Sequence, residues 1–223
     1  MTKIRNLFLA MFSIVFIACS SYTEDMVFSC DANIDAWARE NLQEIRTLTR
    51  AQWHRIEGSE HRRAAFVAFI PEQKRVFWVQ KLQEALQLGW NEKESAHIQT
   101  LLEFAENSGV FERRLSRGDE VFFYRWGKYA QEELGWSDET IYSIAMSGYS
   151  LMDKTGMLRI PLENNVSRLR TGVEPPCACR AGHSRCGLGS LLVCVRSNDC
   201  EPTSIGCAYF WLGPCDGFCV QRI

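Results

Sequence analysis

Eight of the ten cysteines of this 223-residue chain lie within its last 47 residues, and their spacing points to covalent chemistry. They are Cys177, Cys179, Cys186, Cys194, Cys200, Cys207, Cys215 and Cys219. Zinc sites usually pair two C-x2-C knuckles, and this segment contains none. An even number of dispersed cysteines in an exported chain favours disulfides instead. The sequence therefore predicts four disulfides, with no metal and no cofactor.

The pairing of these cysteines stays open, apart from one restriction. A bridge between Cys177 and Cys179 would close a very tight ring, so the two are expected to have different partners. Disulfides are needed here because residues 177–223 are too few to bury an adequate core. We expect a self-contained, disulfide-rich module with short strands in this region.

Two short apolar runs in the module, 191–193 and 209–212, are flanked by turn residues and predict strands. The second run contains Tyr209, Phe210 and Trp211. We predict that these aromatic side chains are exposed and can contact a receptor or a membrane. The net charge of residues 177–223 is only +1, which does not favour direct membrane lysis over receptor binding.

The N-terminus has the pattern of an export signal. Lys3 and Arg5 precede an apolar run at 7–18, which is too short to span a bilayer and suits a signal peptide. The run ends in Ala18-Cys19, as in bacterial lipoprotein signals. We predict a signal peptide at 1–18, lipidation of Cys19 that anchors the chain in a lipid membrane, and a tether at 19–30. An ordinary secretory signal is the alternative.

Cys30 is the odd cysteine if Cys19 is lipidated, because the tail cysteines are already even in number. It is the candidate for an unpaired thiol. The alternative is a disulfide between Cys30 and a tail cysteine, which would leave another tail cysteine as the free thiol.

Residues 31–152 predict a mainly α-helical domain. Apolar residues recur at three- and four-residue steps, which favours an antiparallel bundle of about five to seven helices. Asp31 is the expected N-cap of a helix running to about Leu48, and Pro71 is expected to end one helix and begin the next. The aromatic stripes are interpreted as core, with a ligand groove as the alternative.

A short repeat lies within this domain. Residues 88–92 (LGWNE) are matched by residues 134–138 (LGWSD), each combining a glycine, a tryptophan and a polar N-cap. We therefore expect two similar helical hairpins that pack together.

The linker at 153–176 separates the helical domain from the tail. Pro175-Pro176 favours an extended step, and Arg168 and Arg170 are candidate protease processing sites.

Several function classes find no support in the sequence. The signal-free chain has a net charge of about −4 and no basic stripe, which argues against nucleic-acid binding. The motifs of zinc proteases, serine hydrolases and phosphate-binding loops are missing from the sequence. We therefore expect a protein that is not an enzyme.

The two halves together resemble a bacterial family. The tail pattern, from Cys177-Ala-Cys179 to Gly206-Cys207 and Cys219, resembles the bacteriocin fulvocin C. The earlier part resembles longer fulvocin C-related proteins in five segments. These are Ser29-Cys30-Asp31, Trp37-Ala38, Pro71-Glu72-Gln73-Lys74, Lys81-Leu82 and Ala96-His97-Ile98. The likeness covers most of residues 29–219, and it departs from the peptide in the three-residue gap between Cys215 and Cys219.

The resemblance implies an exported lipoprotein of the bacterial cell envelope, in which a helical carrier bears a candidate antibacterial module. The partner of that module would be an envelope receptor or the membrane of competing bacteria. It would be an outer-membrane lipoprotein on the periplasmic or surface face, with a secreted C-terminal fragment if the linker is cut. The alternatives are a cell-surface interaction protein and an envelope or immunity lipoprotein, whose tail is structural or ligand-binding.

Overall fold

The computed structural model describes residues 26–160, 179–180, 192–196 and 202–221. Within these ranges the prediction of a mainly helical chain, with short strands and disulfides in its C-terminal part, is confirmed. The helices are α1 Ala32–Glu40, α2 Leu42–Ile45, α3 Arg50–Trp53, α4 Ser59–Ala68, α5 Pro71–Leu86, α6 Glu92–Asn107, α7 Arg117–Glu132 and α8 Asp138–Ala145. The strands are β1 Ser150–Leu151, β2 Leu158–Arg159, β3 Leu192–Arg196, β4 Thr203–Cys207, β5 Gly213–Cys215 and β6 Gly217–Gln221.

The first helix begins where the sequence predicts and ends early. The Asp31 carboxylate accepts hydrogen bonds from two backbone N–H groups of the first turn, so Asp31 is the N-cap. The predicted extension to Leu48 is wrong, because α1 ends at Glu40. The side-chain amide of Asn41 donates to the Trp37 carbonyl at 2.8 Å, and such local bonds compete with a continuing helix. The described residues therefore hold eight α-helices, two of them with four residues each. They also hold a short 3-10 helix at Tyr209–Trp211, where the prediction of a strand is wrong.

Pro71 separates two helices as predicted. α4 ends at Ala68, and Pro71 is the first residue of α5, where a missing N–H breaks no helical hydrogen bond. Residues 64–69 before this boundary are all buried, as expected for a core helix.

The two repeated corners meet in space. Gly89 and Gly135 follow the ends of α5 and α7 with φ angles of +74° and +66°, a region that favours glycine. The rings of Trp90 and Trp136 at these corners lie 5.2 Å apart between centroids. The α5–α6 and α7–α8 pairs are therefore held together at corresponding positions.

Most of the aromatic stripe residues form the core. Phe77, Trp78, Phe123 and Trp126 are at most 3% exposed, which confirms the core interpretation for them. Tyr124 of α7 is an exception, with 67% of its surface exposed.

Two of the buried cations in the described helices, Lys81 and Arg62, connect separate helical segments. The Lys81 ammonium, fully buried, donates to the carbonyls of Ser143 and Ile144 in the last turn of α8. A positive charge is favourable at a helix C-terminus, although burial lowers the pKa of Lys81. The guanidinium of Arg62 donates to the Tyr149 hydroxyl at 2.9 Å. These bonds tie α5 and α4 to the segment around α8.

The described strands form three two-stranded antiparallel ladders. β1 pairs with β2, β3 with β6, and β4 with β5. Cys179 forms an isolated antiparallel bridge with Gly217, which joins the start of the described tail to β6.

We predict from the position of His54 that the folded protein loses stability in mild acid. Burial and then the nearby charge of Arg50 lower its pKa to about 4. The folded state thus binds a proton less readily than the unfolded chain, so the free energy of unfolding falls as the pH drops from 6.5 towards 4. After discounting for partial exposure, we expect His54 to account for about 1–2 kcal/mol of this fall.

Urea unfolding at a series of pH values measures this effect. His54→Phe, which cannot titrate, should flatten the pH dependence between 6.5 and 4. Equal slopes for the two proteins would contradict the prediction.

Candidate functional site: the interface between the helices and the tail

The aromatic turn of the tail, residues 209–211, is inserted into the helical core. Phe210 is 0% exposed and Trp211 is 5% exposed, while Tyr209 is half-buried. The prediction that these side chains are exposed contacts is therefore wrong for Phe210 and Trp211. Burial against other apolar groups stabilises such large rings more than contact with water does. The tail is also not self-contained, because its turn belongs to the same core cluster as the helices.

Trp211 lies at the centre of this packing. Its ring centroid is 5.1 to 6.5 Å from those of Trp53, Phe66, Phe77 and Trp78. Its indole N–H donates to the carbonyl of Met146 at 2.7 Å. Trp211 is thus both packed and hydrogen-bonded within the helical part.

Phe210 fills a second position beside it. Its ring lies 4.8 Å from Trp78, 5.7 Å from Phe111 and 5.4 Å from Phe123. The turn therefore bridges α5, α7 and the segment that joins α6 to α7.

The backbone of the turn has an unusual conformation. Ala208, Phe210 and Trp211 have φ angles of +61°, +51° and +55°, in the left-handed region that non-glycine residues rarely adopt. The Cys207–Cys215 disulfide closes the loop that contains them, and Cys207 pairs with Gly213 across β4 and β5. Ring packing and the disulfide together hold a conformation that the isolated segment would disfavour.

The surroundings of this disulfide include a cation and another cysteine. Nη1 of Arg63 lies 3.3 Å from the Cys207 sulfur and 3.9 Å from the Cys215 sulfur. Cys30 packs against the same disulfide, and burial raises the pKa of its thiol. The expectation that Cys30 is unpaired stays a prediction.

A second disulfide joins Cys179 to Cys194. Four of the eight tail cysteines are therefore confirmed as disulfide-bonded, and Cys179 does not pair with Cys177. The other predicted positions lie outside the described residues: Cys19, Arg168, Arg170, Cys177, Cys186, Cys200 and the side chain of Cys219.

A half-open cleft of about 760 Å³ lies where α7 meets the tail. Tyr209 forms part of its floor and stacks on Phe123, with 4.8 Å between centroids and 12° between planes. Tyr209 can lie here because residue 127 is glycine. A Cβ on residue 127 would overlap the Tyr209 hydroxyl. The full lining is Leu115, Glu120, Phe123, Tyr124, Gly127, Lys128, Gln131, Glu132, Ile141, Met146, Arg180, Ala208 and Tyr209.

The charged groups of the cleft are paired. Glu120 and Arg180 lie 3.3 Å apart and connect α7 to the tail. Lys128 and Glu132 lie 3.7 Å apart along α7. Two carboxylates and two cations therefore balance one another around the exposed ring of Tyr124.

The cleft was missed by reasoning from the sequence, although a signal for it exists. Residues 120, 123, 124, 127, 128 and 131 share one face of α7 by their three- and four-residue spacing. A glycine in the middle of that face indicates close approach of another group. The sequence does not show that this group is Tyr209.

The described residues lack two other kinds of site. These residues contain no cluster of three or more His, Cys, Asp or Glu side chains that could hold a metal ion. They also contain no helix long and apolar enough to cross a membrane. Comparison of the chain with known protein families, curated proteins and solved structures finds no match.

Proposed function

We propose that this chain is an exported, lipid-anchored envelope protein in which a helical carrier holds the cysteine-rich tail, and which acts by binding rather than by catalysis. The supporting observation is the insertion of Phe210 and Trp211 into the helical core. A tail anchored by two buried aromatic side chains is suited to remain part of the carrier. Acylation of Cys19 would supply the membrane attachment.

The arrangement of the carrier is part of this proposal. We infer that its longer helices form an antiparallel bundle, because short corners join α5 to α6 and α7 to α8. The contact between Trp90 and Trp136 supports this arrangement.

A binding role is favoured over catalysis by where the reactive groups lie. Lys81 has the lowered pKa that catalytic lysines share, yet it is fully buried and held by carbonyls of α8. The charged groups at the cleft are instead paired with each other. Such a surface is suited to hold a ligand by contact.

The first test asks whether the tail stays on the carrier after the chain is cut. A site-specific protease sequence is inserted after Val166 in the full-length protein, which is then cleaved under native conditions. We expect the two fragments to elute together in size-exclusion chromatography. The same cut in a Trp211→Ala background should let the tail separate, because the central contact is lost.

Spontaneous departure of the tail from the cut wild-type protein would contradict the proposal. It would instead favour a second candidate function, a released antibacterial module like that implied by the fulvocin C resemblance. The specific observation in favour of that candidate is the covering of an apolar turn by the carrier, as expected for a precursor.

The second candidate has its own measurement. Cut and intact proteins are added to cultures of related bacteria at equal concentrations. Growth inhibition by the cut protein alone would support the antibacterial module, and no inhibition by either protein would count against it.

A further inference from the structure

We propose that the cleft between α7 and the tail binds a neutral oligosaccharide. This inference rests on the proposed function, since the cleft exists only while the tail stays on the carrier. α7 contributes Tyr124 and Gln131 to the cleft, and the tail contributes Tyr209 and Arg180.

The size and construction of the cleft suit a small ligand. Its volume of about 760 Å³ lies within the usual range for ligand sites, and its floor is formed by packed side chains. Stacking of Tyr209 on Phe123 packs the tail wall against α7, and a partly exposed ion pair between Glu120 and Arg180 also connects them. The two walls are thus positioned before any ligand arrives.

Aromatic rings next to paired polar groups match the chemistry of a sugar. One face of a sugar ring presents C–H groups, which pack on the flat face of a tyrosine such as Tyr124. Sugar hydroxyls both donate and accept hydrogen bonds, and the cleft provides carboxylates, an amide and cations to meet them.

The charge balance argues against other ligand classes. Glu120 and Glu132 offset Lys128 and Arg180, so the lining has no excess charge to attract a phosphate, a nucleic acid or an anionic lipid. A purely apolar ligand would remove these four charged groups from water without replacing their hydrogen bonds. A neutral polyhydroxyl ligand needs no excess charge in the lining, and its hydroxyl groups can hydrogen-bond to the four charged side chains.

The test is isothermal titration calorimetry of the full-length, detergent-solubilised protein with chitotetraose, maltotetraose and cellotetraose. We expect at least one of them to bind, and Tyr124→Ala to weaken that binding by about tenfold, as for a tyrosine at the centre of a contact. Tyr129→Ala is the matched control, since Tyr129 is also exposed on α7 and lies outside the cleft. It should leave binding unchanged.

Gly127→Ala supplies a second variant. Its Cβ would displace the Tyr209 hydroxyl and reshape the floor, so binding should weaken while the surface ring of Tyr124 is kept. Urea unfolding confirms that each variant is folded.

The inference is overturned if none of the three oligosaccharides binds the folded wild-type protein, or if Tyr129→Ala weakens binding as much as Tyr124→Ala. It is also overturned if a neutral peptide such as tetraalanine binds and the sugars do not. Co-elution of the cut fragments in those cases would leave the proposed function standing.

Discussion

Replacing Trp211 by alanine is expected to lower the free energy of unfolding by about 3–5 kcal/mol, the usual effect of emptying a large buried aromatic position. The indole lies against four aromatic rings, and its N–H donates to the Met146 carbonyl. The substitution leaves a cavity and removes that donor. Urea unfolding followed by far-UV circular dichroism measures the loss.

The matched control is Tyr124→Ala, which removes an aromatic ring that is 67% exposed. We expect it to change the stability by less than about 0.5 kcal/mol. Equal effects of the two substitutions would mean that the turn does not hold the tail on the helices.

Removing the Cys207–Cys215 disulfide, as Cys207→Ser with Cys215→Ser, is expected to cost about 2–3 kcal/mol. The bridge closes a short loop that holds three non-glycine residues at positive φ. Without it, the unfolded chain gains freedom and the turn relies on ring packing alone. We also expect a weaker near-UV circular dichroism signal, because the tryptophan cluster around Trp211 becomes less ordered.

The second disulfide provides a comparison for this variant. Cys179→Ser with Cys194→Ser also removes one bridge, yet neither residue lies in the loop that holds the turn. We expect a loss of stability with little change in the near-UV signal. A near-UV change as large as that from the first pair would show that Cys207–Cys215 has no special part in holding the turn.

Local signals in the sequence predicted much of the helical part. Asp31, Pro71 and the corner glycines act within a few residues of their own positions, so their effects can be read without knowing the tertiary structure. The wrong prediction of the end of α1 also has a local cause, since the Asn41 side chain donates a hydrogen bond to a carbonyl of the preceding turn. Sequence periodicity alone did not show that this bond would end the helix.

The position of the tail could not be predicted in the same way. A short apolar run such as residues 209–212 has the same composition whether it contacts a partner or its own core. The aromatic partners of Trp211 lie more than 130 residues earlier, and no spacing rule connects them. The cleft could not be predicted from the sequence for the same reason, because one wall comes from the tail and the other from α7.

The late position of the aromatic turn also determines when the helical core can be completed. The rings of Trp53, Phe77 and Trp78 are made early, while the turn that packs on them follows about 10–30 s later at usual rates of synthesis. During that interval the helical core lacks the buried rings of Phe210 and Trp211, so the helices are less stable. For a chain that is exported as proposed, we expect this delay to help keep the early segments unfolded until they have crossed the membrane.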